Sequence, residues 1–329
     1  MFQSLLNGLK RVIKVPLESR VGRLDARWAH RRERENIPSV PDAMATLVRR
    51  WPEVAGQDPV PPTDSPVFIL SAGWRSGSTL LQRLVMSGGD VLVWGEPYAN
   101  CDYLGKFADS LRIFTGTYPV DEWFIDRGSP EDRERLSEKW IANLYPGVRD
   151  LLAAHRAFFE TLYGEPARRG GYGRWGFKEV RYGAVHAEYL RLLYPAARIL
   201  FIYRNPYDAW RSYRIWRNWY LRWPDVPVFT ARQFGRLWHE LVAGSLAAAG
   251  RLNARIIRFE DLAGGRESLP DLRDYLDLNL DPAVLARRVE GRGVPPDPIP
   301  AAELRLLRRE VDPLAAELGY APRSAKAGA

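Results

Sequence analysis

The sequence predicts an α/β fold: a parallel β-sheet flanked by helices, with a phosphate-cradling loop of the P-loop kind after its first strand. Three observations carry this. Short apolar runs at 67–70, 91–94 and 199–203, and a further strand at 255–259, alternate with helical patterns, the rhythm of buried parallel strands joined by crossover helices. The first run enters a Gly/Ser-rich turn and leaves it as an amphipathic helix carrying Leu80, Leu81, Leu84 and Val85. The run at 199–203 stops at Arg204-Asn205-Pro206, where the proline suits the first turn of another helix.

In chain order, residues 1–65 form a helical leader and a Pro-rich linker. Phe2, Leu5, Leu6, Leu9, Val12 and Ile13 share one face, with Lys10, Arg11 and Lys14 between them, an amphipathic basic helix. It lacks the apolar length of a membrane span and is too charged for a signal peptide. It either makes peripheral contact with an anionic membrane surface or, the favoured reading, packs on its own domain or on a partner subunit of a homo-oligomer. A short helix covers 42–50, and GQDPVPPTDSP leads into the core, which spans 66–262. Between about 100 and 173 the βα rhythm breaks, and helical segments at 130–143 and 148–163 end in RRGGYG; this stretch is an insertion. Residues 230–252 form a long helix with Phe234, Leu237, Leu241 and Leu246 inward, and 255–259 a last strand. Residues 263–329 are helical and pack on the core, interrupted by VPPDPIP; RSAKAGA is a disordered tail.

Composition sets outer limits. A hydrophobic content of 46% and a charged content of 27% are those of an ordinary folded chain. The single cysteine, Cys101, permits no internal disulfide and no Cys/His zinc cluster, which suits a reducing cytoplasm. A net charge of +8 suits capture of an anionic ligand or an arginine-rich surface. No nucleic-acid module is visible and the basic residues alternate with acids, so a nucleic-acid partner is not expected.

Strand, glycine loop and helix together aim backbone N–H groups and a helix N-terminus at one anion. Gly73 and Gly77 allow the tight turn, Arg75 adds a fixed charge, and Ser78 and Thr79 add hydroxyls. A nucleotide-hydrolysing loop reads GxxxxGK[ST]. Here the glycines are one residue too close, and Ser78 stands where the lysine belongs. Arg204 sits at a second strand end, and Ser212 follows eight residues later, about two helical turns along. Two cationic strand ends suggest one ligand with two separate anionic groups.

The pair WRSGST and YRNPYDAWRS resembles the sulfotransferases that use 3′-phosphoadenosine-5′-phosphosulfate (PAPS). The likeness covers roughly 66–262. It implies that Arg75, Ser76, Gly77, Ser78 and Thr79 bind the 5′ end of PAPS, that Arg204 and Ser212 bind its 3′-phosphate, and that 3′,5′-ADP is the product, with no metal required. An arginine at position 75, where cytosolic members carry lysine, is closer to the carbohydrate, tyrosyl-protein and bacterial branches. In the first two of these a glutamate after the first helix and second strand is the base, and WGEPY around Glu96 looks like that segment. Trp94, Pro97 and Tyr98 are its expected cover. The competing reading of Glu96 is an exposed turn carboxylate. Lys178, in RWGFKEVRYG, matches a family lysine aimed at the transferring sulfonate; the competing reading pairs it with Glu179 on the surface. Glu179 is a candidate support for Lys178, and Arg181 a candidate contact to an acidic acceptor.

Cytosolic members use a histidine base. Of the four histidines here, none follows a strand as Glu96 does: His186 and His239 lie in helical patterns, and His155 stays open. The insertion would shape the acceptor pocket. The aromatics Trp210, Tyr213, Trp216, Trp219, Tyr220 and Trp223 divide between core and acceptor stacking, a division the spacing leaves open. RFEDL would close the sheet, and the Pro-rich C-terminal loop would cover the nucleotide. The expected activity is in-line sulfonate transfer from PAPS to a small-molecule or glycan hydroxyl (carbohydrate, glycolipid or natural product), with Glu96, Lys178 and Arg75 catalytic. The alternatives are a P-loop kinase or NTPase, disfavoured by the missing lysine, and a non-catalytic nucleotide-binding protein.

Overall fold

A computed structural model describes residues 37–55, 64–97, 102–134, 136–138, 143–215, 228–287 and 298–320. The basic leader, Tyr98, Cys101, the aromatics at 216–223, most of VPPDPIP and the C-terminal tail lie outside the described residues.

Five strands form one sheet: β1 Val67–Ser71, β2 Val91–Trp94, β3 Arg174–Glu179, β4 Arg198–Tyr203 and β5 Arg255–Arg258. Their order is β2-β3-β1-β4-β5, and every pairing is parallel. All five carboxyl ends therefore lie along one edge of the sheet. The chain reverses its direction of travel across the sheet around β1, where ligands of open α/β sheets collect.

Side chains alternate faces along a strand, and here both faces are covered. Phe68 and Leu70 join Trp175, Phe177, Ile199 and Phe201 on one face. Against them pack α1, Val40–Arg50, and other helices of the leader and insertion. Val67, Ile69, Leu200, Ile202 and Ile257 form the other face, covered by Leu81, Leu84 and Val85 of α2, Ser78–Val85. β1 is buried at every position, as a central parallel strand should be. The strand expected at 255–259 ends one residue early, because Phe259 opens the short helix Phe259–Ala263 and turns its ring toward the strand ends.

The insertion contributes α3, Tyr103–Ser110, and α4, Val148–Phe159. In the stretch expected to be helical at 130–143, the described helical pieces are only Pro130–Glu134 and the turn Leu136–Glu138. By contrast the helical run that begins with α4 outruns its expected end at 163. It passes through a π-helical turn, Glu160–Gly164, into the helix Glu165–Arg169.

After β3 and β4 come α5, Ala184–Leu193, and α6, Pro206–Tyr213. The long helix α7, Ala231–Ala248, starts at a capping box in which Thr230 and Gln233 satisfy each other's backbone N–H groups. Helix α8, Leu269–Leu276, packs beneath the second face, and α9, Ala301–Glu317, lies along α7 and α6. Trp210 and Tyr213 are fully buried among Phe234, Trp238, Leu307 and Val311, which makes both of them core. Among the described residues no helix is long and apolar enough to cross a membrane.

Candidate active site

The parallel sheet lines up the chemistry along one edge. In sheet order it carries Glu96 just past β2, Lys178 near the end of β3, the glycine loop after β1, Arg204 after β4, and Phe259-Glu260 after β5. Sequence order would scatter these groups; the strand order makes neighbours of them.

In the loop Gly73, Arg75 and Gly77 take φ of 79°, 65° and 92°. Left-handed residues alternating with ordinary ones turn successive N–H groups into a concavity suited to an anion. For Arg75, a residue with a Cβ, that conformation costs on the order of 1–2 kcal/mol. The Ser76 hydroxyl donates to the carbonyls of Ala72 and Gly73, both at 2.8 Å. It fastens the loop, and its backbone N–H is what remains for a ligand. Ser78 is buried at the start of α2, while Thr79 is exposed one residue on.

The two distant motifs meet. Arg75 Nε donates to Ser212 Oγ at 2.7 Å, and Arg204 Nη1 donates to the Arg75 carbonyl at 3.2 Å. Ser212 is 1% exposed, presented by α6. The Asn205 side chain caps α6 by accepting from the N–H groups of Tyr207 and Asp208. Trp74 stacks on Tyr213 at 5.3 Å between centroids, holding the loop against the same helix.

Two residues that the sequence analysis assigned only to closing the sheet hold this arrangement. The Phe259 ring lies 4.6 Å from the Arg204 guanidinium carbon. It also fills the space beside Gly77, where an added Cβ would stand 2.0 Å from the ring. Glu260 Oε1 accepts the Asn205 N–H at 2.9 Å, and Glu260 Oε2 accepts the Tyr320 hydroxyl at 2.6 Å. Trp238 Nε1 donates to the Arg204 carbonyl at 2.9 Å. The one signal for these roles was the position of RFEDL at a strand's carboxyl end. Arg204 Nε is buried without a hydrogen-bond partner among the described residues, a donor left over for an anion. Burial pulls the Arg204 guanidinium below its ordinary value, with Asp208 and Glu260 opposing that shift.

On the other side of the loop, Lys178 Nζ lies 2.8 Å from Glu96 Oε1, their side chains 13% and 25% exposed. Gln82 of α2 donates to the carbonyls of Val93 and Trp94, tying the end of β2 to the helix that leaves the phosphate loop. The surface pairing of Lys178 with Glu179 does not occur. Successive strand residues face opposite ways, so Glu179 points to the other face. There it is fully buried and gripped by Arg181 Nε and Nη2. Burial pushes the Glu179 carboxyl up, and the Arg181 guanidinium opposes that shift. Glu179 pairs with Arg181 rather than with Lys178, and Arg181, 6% exposed, is held in that pair. Arg181→Ala would leave Glu179 as an uncompensated buried charge. It should cost about 3–5 kcal/mol of stability, read as a fall in the denaturant midpoint at constant slope.

Two of the described histidines, His155 and His186, are engaged elsewhere, and His30 lies outside the described residues. His155 is buried and shares a hydrogen bond of 2.8 Å with the Tyr189 hydroxyl. His186 stacks on Tyr182 at 4.3 Å, and burial lowers it to about 4. Among the described residues no three His, Cys, Asp or Glu side chains gather as a metal site would require.

Residues 66–282 match the sequence model of the sulfotransferase family. No curated protein matches the chain. Among solved structures, the sulfotransferase domain of the Synechococcus PCC 7002 olefin synthase is 19% identical over 82% of this chain and 98% of its own, with a TM-score of 0.44. A sulfotransferase of Mycobacterium avium is 17% identical over 84% of this chain and 80% of its own, with a TM-score of 0.41. One from Alicyclobacillus acidocaldarius is 18% identical over 78% and 97%, with a TM-score of 0.38. The family model matched is that of the sulfotransferases and not the kinase or NTPase of the alternative reading. The family match runs from the residue before β1 to beyond α8 and takes in every strand of the sheet, so the chain belongs to the sulfotransferase family.

Proposed function

We propose that this sulfotransferase takes its sulfonate group from PAPS and passes it to a hydroxyl of a carbohydrate, glycolipid or natural product, with Glu96 as general base. The observation that carries the donor assignment is the junction of the two anion-binding motifs, Arg75 Nε to Ser212 Oγ at 2.7 Å and Arg204 to the Arg75 carbonyl at 3.2 Å. One adenosine donor with phosphate groups at both ends of its ribose can span loops that touch each other. Arg75, the backbone at Ser76 and Gly77, and Ser78 and Thr79 at the start of α2 would hold the 5′ end. Arg204 and Ser212 would hold the 3′-phosphate, the unpartnered Arg204 Nε being the donor waiting for it. Residues 66–262 then form the donor-binding core, and the insertion at about 100–173 borders the acceptor.

Sulfuryl transfer needs two oxygens in line through the sulfur and charge compensation on the group in flight. Glu96 takes the proton of the acceptor hydroxyl as that oxygen bonds to sulfur. The bond from sulfur to the 5′-phosphate oxygen breaks, and its electron pair leaves with 3′,5′-ADP. Lys178, two strands from the Arg204 strand and next to the loop strand, neutralises charge on the transferring group, and Arg75 does so on the leaving phosphate. In this reading the Glu96–Lys178 ion pair marks where acceptor oxygen and sulfonate come together.

Calorimetric titration with 3′,5′-ADP and with 5′-AMP tests the donor assignment. The 3′-phosphate meets a buried cation, and a hydrogen bond to a charged group contributes about 1.5–3 kcal/mol. The bisphosphate should therefore bind roughly 10- to 100-fold more tightly than 5′-AMP. Equal affinities would remove the second site from the reading.

A further inference from the structure

The π-helical turn Glu160–Gly164 lies in the middle of an otherwise regular helical run from Val148 to Arg169. The Glu165 N–H reaches back five residues to the Glu160 carbonyl. Such widened turns are rare and recur at functional sites. Here the turn takes an indole N–H from each of two adjacent strands. Trp94 Nε1, at the end of β2, donates to the Tyr163 carbonyl at 3.1 Å. Trp175 Nε1, in β3, donates to Glu160 Oε1 at 3.2 Å. The Tyr163 ring stacks on Trp175 at 5.9 Å between centroids and an interplanar angle of 21°. Gly164 is hemmed in: an added Cβ would stand 2.2 Å from Glu160 Oε2 and 3.0 Å from Trp175 Nε1. Arg168 holds the other side of the Glu160 carboxylate at 3.0 Å.

The two strands gripped are the two that carry the catalytic ion pair. Glu96 lies two residues beyond Trp94, and Lys178 three beyond Trp175. We infer that the π-turn is the clamp that sets the separation of Glu96 from Lys178, with Trp94 and Glu160 as positioning residues. The inference rests on the reading of Glu96 as general base. The clamp acts on β2 and β3, away from the Arg204–Ser212 side of the sheet edge. Loosening it therefore lowers turnover and leaves donor affinity alone.

The test uses the full chain with PAPS as donor and 4-nitrophenol or water as acceptor, following release of 3′,5′-ADP. Trp94→Phe keeps a ring in place and removes the N–H; Glu160→Ala removes the acceptor of the Trp175 bond, and Glu160→Gln retains one. Trp94→Phe and Glu160→Ala should each slow turnover by about 10-fold, a modest misplacement of a reacting group. Their 3′,5′-ADP affinity should stay within about twofold, and Glu160→Gln should stay within about twofold of wild type in both measurements. Amide exchange should quicken in residues 91–97 of Trp94→Phe without quickening across β4 and α6, which separates a local loosening from a failure to fold. Wild-type turnover and exchange in Trp94→Phe and Glu160→Ala, or a donor affinity that falls in step with the rate, would overturn the inference. Glu96→Gln in parallel tells the two readings apart. A slow Glu96→Gln beside a wild-type Trp94→Phe sinks the clamp alone, and a wild-type Glu96→Gln sinks the base and the clamp with it.

Discussion

Glu96→Gln should lower turnover by about 10²-fold or more, the usual loss on removing a general base, while 3′,5′-ADP binds as it does to wild type. The glutamine amide oxygen can still accept the hydrogen bond that Lys178 Nζ makes to Glu96 Oε1 at 2.8 Å. The local structure therefore has a substitute partner, and what is lost is a group able to carry away a proton. By the proposed assignment the donor is held by the loop and, on the far side of the loop strand, by Arg204 and Ser212, and not by Glu96. Turnover of PAPS by wild type and variant, together with calorimetric titration of both, gives the split. A turnover equal to wild type would take Glu96 out of the mechanism, and an equal fall in donor affinity would make it a structural residue.

The second large effect is on binding. Arg204→Ala should weaken 3′,5′-ADP by roughly 10- to 100-fold, as expected for loss of a hydrogen-bonded charge partner, and should bring its affinity down to that of 5′-AMP. Arg204 is suited to this because its surroundings are already organised. Trp238 and Glu260 fix the backbone of Arg204 and Asn205, and the Phe259 ring supports the guanidinium. Little reorganisation is then needed when an anion arrives. A double comparison sharpens the result: the 5′-AMP affinity of Arg204→Ala should match that of wild type within a small factor. An Arg204→Ala protein that binds 3′,5′-ADP at full strength would mean that the 3′-phosphate is held elsewhere.

The strands were legible because a parallel sheet buried on both faces demands unbroken apolar runs, and each of the runs at 67–70, 91–94 and 199–203 is one. β3 was harder to see. Its sequence Arg174–Glu179 mixes Arg, Gly, Lys and Glu with Trp and Phe, because its two ends carry polar work. The long helix α7 announced itself through the spacing of its apolar residues, of which Phe234 and Leu241 are buried as expected while Leu246 is exposed, whereas the π-turn had no signature at all. Its widening depends on what Trp94, Trp175 and Gly164 do in space, and nothing in ETLYG separates it from an ordinary helix.

The partners of charged side chains were the least legible part. Lys178 and Glu179 are adjacent in sequence, and a pairing between them was the natural competing reading. Strand alternation sends them to opposite faces, so Lys178 finds Glu96 from 82 positions away and Glu179 finds Arg181. The same alternation, applied strictly to residues 174–179, was the one available signal.

By itself the sequence determined the glycine loop, the second arginine-serine motif and the run of buried strands, because backbone conformation and burial are demanded locally by glycines, prolines and apolar periodicity. Only the tertiary structure decided which groups share a site. The order β2-β3-β1-β4-β5 brings Glu96, Lys178, Arg75 and Arg204 to one edge, and no local preference encodes a strand order. That order comes from packing two apolar faces at once, a property of the whole chain.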